Sequence, residues 1–165
     1  MEQTPRPSKS SIHPVLIGCG AVLLLVALAV GGLFVWLAIL PEGGVKMANE
    51  MDDYAWSYLE KHRVLDPDEQ LLAYYDATMS MDGTEAAILT SKRVMYHKNG
   101  RTTAMALEDV EDISHRYESL IGDVIEITDR SGARLKIEIA VFNQGESFYQ
   151  ALMDSWKRVR ANRES

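Results

Sequence analysis

The sequence contains a single cysteine, Cys19, so it can form no internal disulfide and no cysteine-based metal cage. Its four histidines, His13, His62, His97 and His115, stand far apart, and no pair has metal-ligand spacing. Should the fold bring His97 and His115 together, isolated strand histidines are still ordinarily polar face residues. A glycine-rich phosphate loop is missing, and Asn99-Gly100 reads as a hairpin turn. Carboxylates are plentiful, yet none stands in a motif with a defined catalytic partner. Internal repeats are absent. The expectation is a protein that is not an enzyme, with no catalytic residues, no metal and no cofactor.

Charge is missing from one long stretch. Val15 to Leu40 holds no Asp, Glu, Lys, Arg, Asn, Gln or His over 26 residues. A helix needs roughly 20 apolar residues to cross a bilayer. The run predicts a transmembrane helix over 15–40 and a single-pass protein of the cell (inner) membrane, with the bilayer as its partner there. A cleaved signal peptide has an apolar stretch of roughly 7–15 residues followed by small residues, which Pro41-Glu42-Gly43-Gly44 does not supply. Leu16-Ile17-Gly18-Cys19 superficially matches a lipoprotein signal, but the apolar run follows the cysteine instead of preceding it. Arg6 and Lys9 flank one end and only Lys46 lies close to the other, which favours a cytoplasmic N-terminus with the domain outside. Gly20, Ala27, Gly31 and Ala38 recur at spacings of seven, four and seven, a small-residue face suited to helix–helix association.

The remainder is acidic. Of the 17 cations only Arg6 and Lys9, and of the 24 acids only Glu2, precede Pro41, so 15 cations face 23 acids, a formal −8. Nucleic acids attract basic surfaces, so no nucleic-acid partner is expected.

Residues 1–14 read as a disordered tail, 41–63 as a hinge and amphipathic helix, 64–160 as one domain and 161–165 as a tail. Met47, Met51, Tyr54, Ala55, Tyr58 and Leu59 at helical spacing predict a helix from Val45 to His62. Its acidic face favours packing on protein over a membrane surface. From Leu71 the period changes to two. Strands are predicted over 71–79, 85–90, 93–98, 101–107, 113–118, 124–129 and 133–141, separated by turn residues. Asn143 and Glu146 have the spacing of a capping box. Phe148, Ala151, Leu152, Trp156 and Val159 then form the apolar stripe of a last helix.

Three segments carry a family resemblance. Leu65-Asp66-Pro67-Asp68-Glu69-Gln70-Leu71-Leu72 resembles the opening of bacterial pleckstrin-homology-like (PH-like) domains, which are related to GRAM domains. Ile88-Leu89-Thr90-Ser91-Lys92-Arg93-Val94-Met95-Tyr96 resembles their second-to-third strand segment, where Leu-Thr-x-x-Arg leads an apolar strand. Ala106-Leu107-Glu108-Asp109-Val110-Glu111-Asp112-Ile113 resembles their next connection. The resemblance implies an α+β fold: an N-terminal transmembrane helix plus a PH-like seven-stranded antiparallel barrel or sandwich, capped by a C-terminal helix. Many PH domains bind phosphoinositides through bases in the first inter-strand loop, but here Ser80 to Glu85 holds two acids and no base. Basic residues gather instead at Lys92, Arg93, Lys98 and Arg101, the candidate ligand-binding set. Lys157, Arg158, Arg160 and Arg163 suit the end of the last helix. The functional expectation is a non-enzymatic, membrane-tethered protein-interaction module, an accessory subunit or scaffold with a protein partner or a homo-oligomeric one. The alternative is a lipid or small-ligand sensor at the membrane surface.

Overall fold

A computed structural model of the chain describes residues 24–33 and 43–163. The chain divides into two compact units, Met1–Pro41 and Glu42–Ser165. In the first unit, residues 24–33 form a helix (α1) whose ten residues are all exposed. Among the described residues no helix is long and apolar enough to cross a membrane. This corrects the predicted single-pass anchor and the inner-membrane location, with its cytoplasmic N-terminus and outward domain, that rested on it. An uncharged run is a requirement for spanning and does not by itself make a spanning helix. The rest of 15–40, including Gly20 and Ala38, lies outside the described residues.

The second unit also departs from the predicted seven-stranded count. It has eight strands in two antiparallel sheets, followed by a helix. The first sheet runs β1 (Val45–Met47), β2 (Leu71–Asp76), β3 (Glu85–Thr90), β4 (Arg93–Lys98) and β5 (Arg101–Ala106) in spatial as well as chain order. The second runs β6 (Val110–Glu118), β7 (Gly122–Asp129) and β8 (Arg134–Ile139). Helix α3 spans Gly145–Arg163.

The additional strand comes from the segment predicted to be all helix. Val45 pairs with Tyr75 and Met47 with Ala73, and Val45 joins the core. A three-residue 3-10 turn, Ala48–Glu50, follows, and only Asp53–His62 forms an α-helix (α2). Pairing with β2 satisfies the backbone of Val45 to Met47 and buries a β-branched side chain, which overrides a helical pattern resting on flexible methionines.

The two sheets differ in how they are covered. In the second, Leu135, Ile137 and Ile139 are buried while Arg134, Lys136 and Glu138 are exposed, the alternation of a sheet with one wet face. In the first, both faces are dry over β2, β3 and most of β4, while β5 is exposed from Arg101 to Ala104. Ala73, Tyr75, Ala87, Leu89 and Val94 point inward, toward the second sheet and the Phe148 and Leu152 of α3. Tyr74, Ala86, Ile88 and Met95 point outward and are covered by Ala55 and Leu59 of α2. Strand β3 therefore reads as a continuous apolar run, because α2 removes the wet face that would otherwise impose alternation.

Candidate functional site

The segments that carry the family resemblance build a clip between turns. Thr90 ends β3, and its hydroxyl oxygen accepts the backbone N–H groups of Lys92 (3.2 Å) and Arg93 (3.0 Å). Arg93 opens β4 and grips Glu69 with two parallel bonds, Nε to Oε1 at 2.7 Å and a terminal nitrogen to Oε2 at 2.8 Å. The Glu69 side chain is only 1 % exposed. Burial pushes its carboxyl pKa up, but Arg93, the Asp66 backbone and Thr90 outweigh that and hold it below the ordinary value. Asp66 adds a 3.1 Å ion pair to Arg93, and Asp68 pairs with Lys92. Leu-Thr-x-x-Arg and the upstream glutamate are thus two halves of one lock.

This lock divides the four predicted ligand cations. Lys92 and Arg93 sit at the start of β4 and are matched by acids. Lys98 and Arg101 sit opposite each other at its far end, flanking the Asn99-Gly100 turn. Five residue steps of strand separate the ends by about 17 Å, beyond a Debye length of roughly 8–10 Å. The four cannot act on one small anion. At the far end Lys98 pairs with Glu85 at 2.9 Å, and the Tyr96 hydroxyl also donates to Glu85. Arg101 has no ion pair among the described residues.

The far end is open for a topological reason. Strand β5 is the edge of its sheet, and Arg101, Thr102, Thr103 and Ala104 are all exposed. Asn99 (φ 49°) and Gly100 (φ 76°) supply the left-handed pair that a two-residue hairpin turn requires. The Leu107 N–H donates to the Lys92 carbonyl at 2.8 Å, which fixes the ladder. Residues 101, 103, 105 and 107 aim their backbone groups at β4, and 102 and 104 aim theirs outward.

A hollow lies on each face of this ledge. On the inner face a 530 Å³ hollow is lined by Tyr96, Lys98, Asn99, Arg101 and Thr103. On the outer face a 270 Å³ hollow includes His62, Arg63, Asp66, Arg93, His97 and Thr102. His97 forms the outer floor. It is 2 % exposed, with Nε2 3.1 Å from the Tyr58 hydroxyl and Nδ1 2.9 Å from the Thr102 hydroxyl. Burial, and then the charge of His62, hold its pKa below the ordinary histidine value. Tyr58 of α2 stacks on His62 of its own helix with ring centres 4.2 Å apart and meets the His97 ring edge-on at 5.5 Å, so the contact with His97 fastens α2 to the hairpin. Arg63 caps the C-terminus of α2 in the left-handed region (φ 49°), where glycine is the ordinary choice. Arg63 did not stand out in the sequence and His97 read as a polar face residue; Lys98, Arg101 and the Asn99-Gly100 turn marked this neighbourhood.

At the β1 edge the Val45 N–H donates to the Asn143 carbonyl at 3.0 Å, and the edges of the second sheet are occupied or charged. Along β6, Trp156 of α3 donates its indole N–H to the Val110 carbonyl at 3.1 Å. Tyr149 of the same helix stacks on His115 with centres 4.5 Å apart. The groove between β6 and α3 is filled by the protein itself. Strand β8 carries Arg134, Lys136 and Glu138 outward, the charges that ordinarily discourage edge pairing.

His115, Asp123 and Glu146 form a cluster of metal-ligating types. Nε2 of His115 lies 2.7 Å from Asp123, while Nδ1 lies 3.5 Å from Glu146. Each ring nitrogen faces a different carboxylate, so the imidazole bridges two acids, whereas an ion would need one nitrogen turned toward both. A Cβ on Gly145 would lie 2.4 Å from the Asp123 side chain, so glycine at the start of α3 admits this bridge. Asn143 does not cap α3 through Glu146; its side-chain amide donates to the Tyr75 hydroxyl at 3.2 Å. Of the predicted helix–helix residues, Ala27 and Gly31 lie in α1 with exposed surfaces, and a Cβ on Gly31 would meet nothing within 4 Å. Compared with known proteins, the sequence matches no family model and no curated protein.

Proposed function

We propose that Glu42–Ser165 is a non-enzymatic protein-interaction module on a PH-like fold, and that it receives an extended segment of a partner along the free edge of β5. What supports the PH-like reading is a run of seven antiparallel strands, β2–β5 in one sheet and β6–β8 in a second, before a closing helix; β1 is additional to it. One observation carries the reading. The uncharged Thr102-Thr103-Ala104 stretch is exposed, with outward backbone groups at 102 and 104, and it lies between two hollows. Strand addition draws affinity from main-chain bonds and selectivity from pockets for alternate side chains, and this edge offers both. The filled β6–α3 groove and the charged β8 edge offer neither.

The test is selection of random nine-residue displayed peptides on the full-length chain, followed by binding to two variants. Ala104→Pro removes an outward N–H and places a ring against an incoming strand, without touching the β4 ladder. Ala104→Lys puts charge on the edge. Peptides that bind the parent and lose both variants, with circular dichroism unchanged, support the reading. Selected peptides indifferent to both variants, or no peptide selected, overturn it.

A further inference from the structure

The edge has a charge pattern that specifies its occupant. The surrounding unit is strongly acidic, yet the cations without an ion pair at this ledge, Arg101 and Arg63, stand on opposite faces of one strand. On the inner face, Tyr96, Lys98, Asn99, Arg101 and Thr103 line the hollow, with no acid among them. Glu85 and Glu138 are acids nearby; Glu85 is occupied by Lys98 and the Tyr96 hydroxyl, and Glu138 by Lys136. On the outer face, the acid in the lining, Asp66, is engaged by Arg93. His62 and Arg63 remain beside Thr102 without an acidic partner among the described residues.

Arg63 holds a left-handed helix terminus where glycine is the ordinary choice, a conformation it shares with Met81, Asn99, Phe142 and Gln144, so its position beside Thr102 is what brings it to the site. Lysines and arginines also discourage indiscriminate edge pairing, so cations at the turn end select among partners instead of welcoming all of them.

Successive residues of a strand point to opposite faces. One acid in an added strand reaches one hollow only, whereas two adjacent acids reach both. Resting on the strand-addition reading, we infer that β5 recognises an extended segment of another protein carrying two adjacent acidic residues. One carboxylate enters the inner hollow toward Arg101 and Lys98, and the other enters the outer hollow toward Arg63 and His62. Apolar or β-branched neighbours continue the strand past Ala104.

The probe is a nine-residue threonine–valine peptide with two adjacent glutamates at its centre. Companion peptides carry glutamine at one or both of those positions. Titration calorimetry or fluorescence anisotropy against the full-length chain reads the affinities. The diglutamate peptide is expected to bind about tenfold more tightly than the diglutamine peptide, roughly threefold for each exposed ion pair. Arg101→Ala should abolish the preference at one glutamate position only, and Arg63→Ala at the other only, the signature of one cation per face. Raising the salt should compress the differences.

Equal binding of diglutamate and diglutamine peptides, both lost in Ala104→Pro, leaves strand addition standing and overturns the acidic specificity. Loss of binding by none of the peptides in Ala104→Pro, or binding by no peptide, overturns the strand-addition reading beneath it. Both arginine variants acting on the same glutamate would overturn the two-faced arrangement.

Discussion

At the start of β4, Lys92 and Arg93 are matched by Asp68, Asp66 and Glu69, and Thr90 ties down the turn between them. At its other end, Lys98 shares Glu85 with a tyrosine and Arg101 has no acid among the described residues. The two ends hold equal numbers of cations. One is built into a lock in which a carboxylate has left water almost entirely. The other stands on an exposed edge where both strand faces open into hollows. Cationic character alone therefore says little about binding; the deciding matter is whether the charge already has a partner, and how dry that partner is.

The largest effect expected from disturbing this contrast is at the locked end. Arg93→Ala leaves Glu69 buried without its guanidinium, and breaking such a pair costs about 3 kcal/mol or more. Urea denaturation should show that loss, and Asp66, released into the outer hollow, should also weaken the acidic peptide. A loss below about 1 kcal/mol would mean that the lock is an ordinary surface pair. Thr90→Val comes next. It strips an acceptor from two backbone N–H groups and should cost about 1–3 kcal/mol by the same assay.

At the open end the order reverses. Arg101→Ala should leave the denaturation midpoint within about 0.5 kcal/mol of the parent, as for an exposed side chain, and weaken acidic-peptide binding about threefold. Arg63→Gly sharpens the contrast most economically. Glycine relieves the left-handed strain at the end of α2 and should stabilise the fold by about 1 kcal/mol while weakening the acidic peptide. A variant that gains stability and keeps affinity would show that Arg63 has no part in binding.

The smallest effect concerns pH. His97 is held below its ordinary pKa of 6.5 by burial and then by His62. The unfolded chain takes up this proton first as the pH falls, so the contribution is fully present above about 6.5 and is lost below it, toward the folded value. Stability should fall between pH 7.5 and 5.5, and His97→Gln should flatten that slope. Glu69 acts in a lower window. Its folded pKa lies below the ordinary 4.5, so its contribution is present above that value and is lost as the pH drops through the folded one.

Much of this architecture is visible in the sequence for physical reasons. Strand β8 alternates strictly because one face is wet, and the β4–β5 turn is marked by residues that tolerate positive φ. Helix α3 keeps a one-sided apolar stripe around Phe148 and Leu152. What escaped reading depends on long-range partners. Val45 to Met47 became a strand only because β2 lay beside it. Strand β2 stops at Asp76 because that buried carboxylate turns to accept the N–H groups of Thr78 and Gly83, both at 2.8 Å. The uncharged run over 15–40 suggested a spanning helix on composition alone, whereas among the described residues no helix is long and apolar enough to cross a membrane. The candidate site was half legible. Lys98, Arg101 and the turn were apparent, but Arg63 comes from a helix 35 or more residues upstream, and nothing local ties it to β5.

Amide exchange measured residue by residue on the full-length chain, with and without the diglutamate peptide, tests the open edge most directly. The free protein should exchange quickly at Thr102 and Ala104 and slowly at Thr103 and Met105, whose N–H groups face β4. Peptide should slow Thr102 and Ala104 and leave the amides of β8 unchanged. Uniform protection along β5 in the free protein, or peptide-induced protection elsewhere but not at Thr102 and Ala104, would contradict the account.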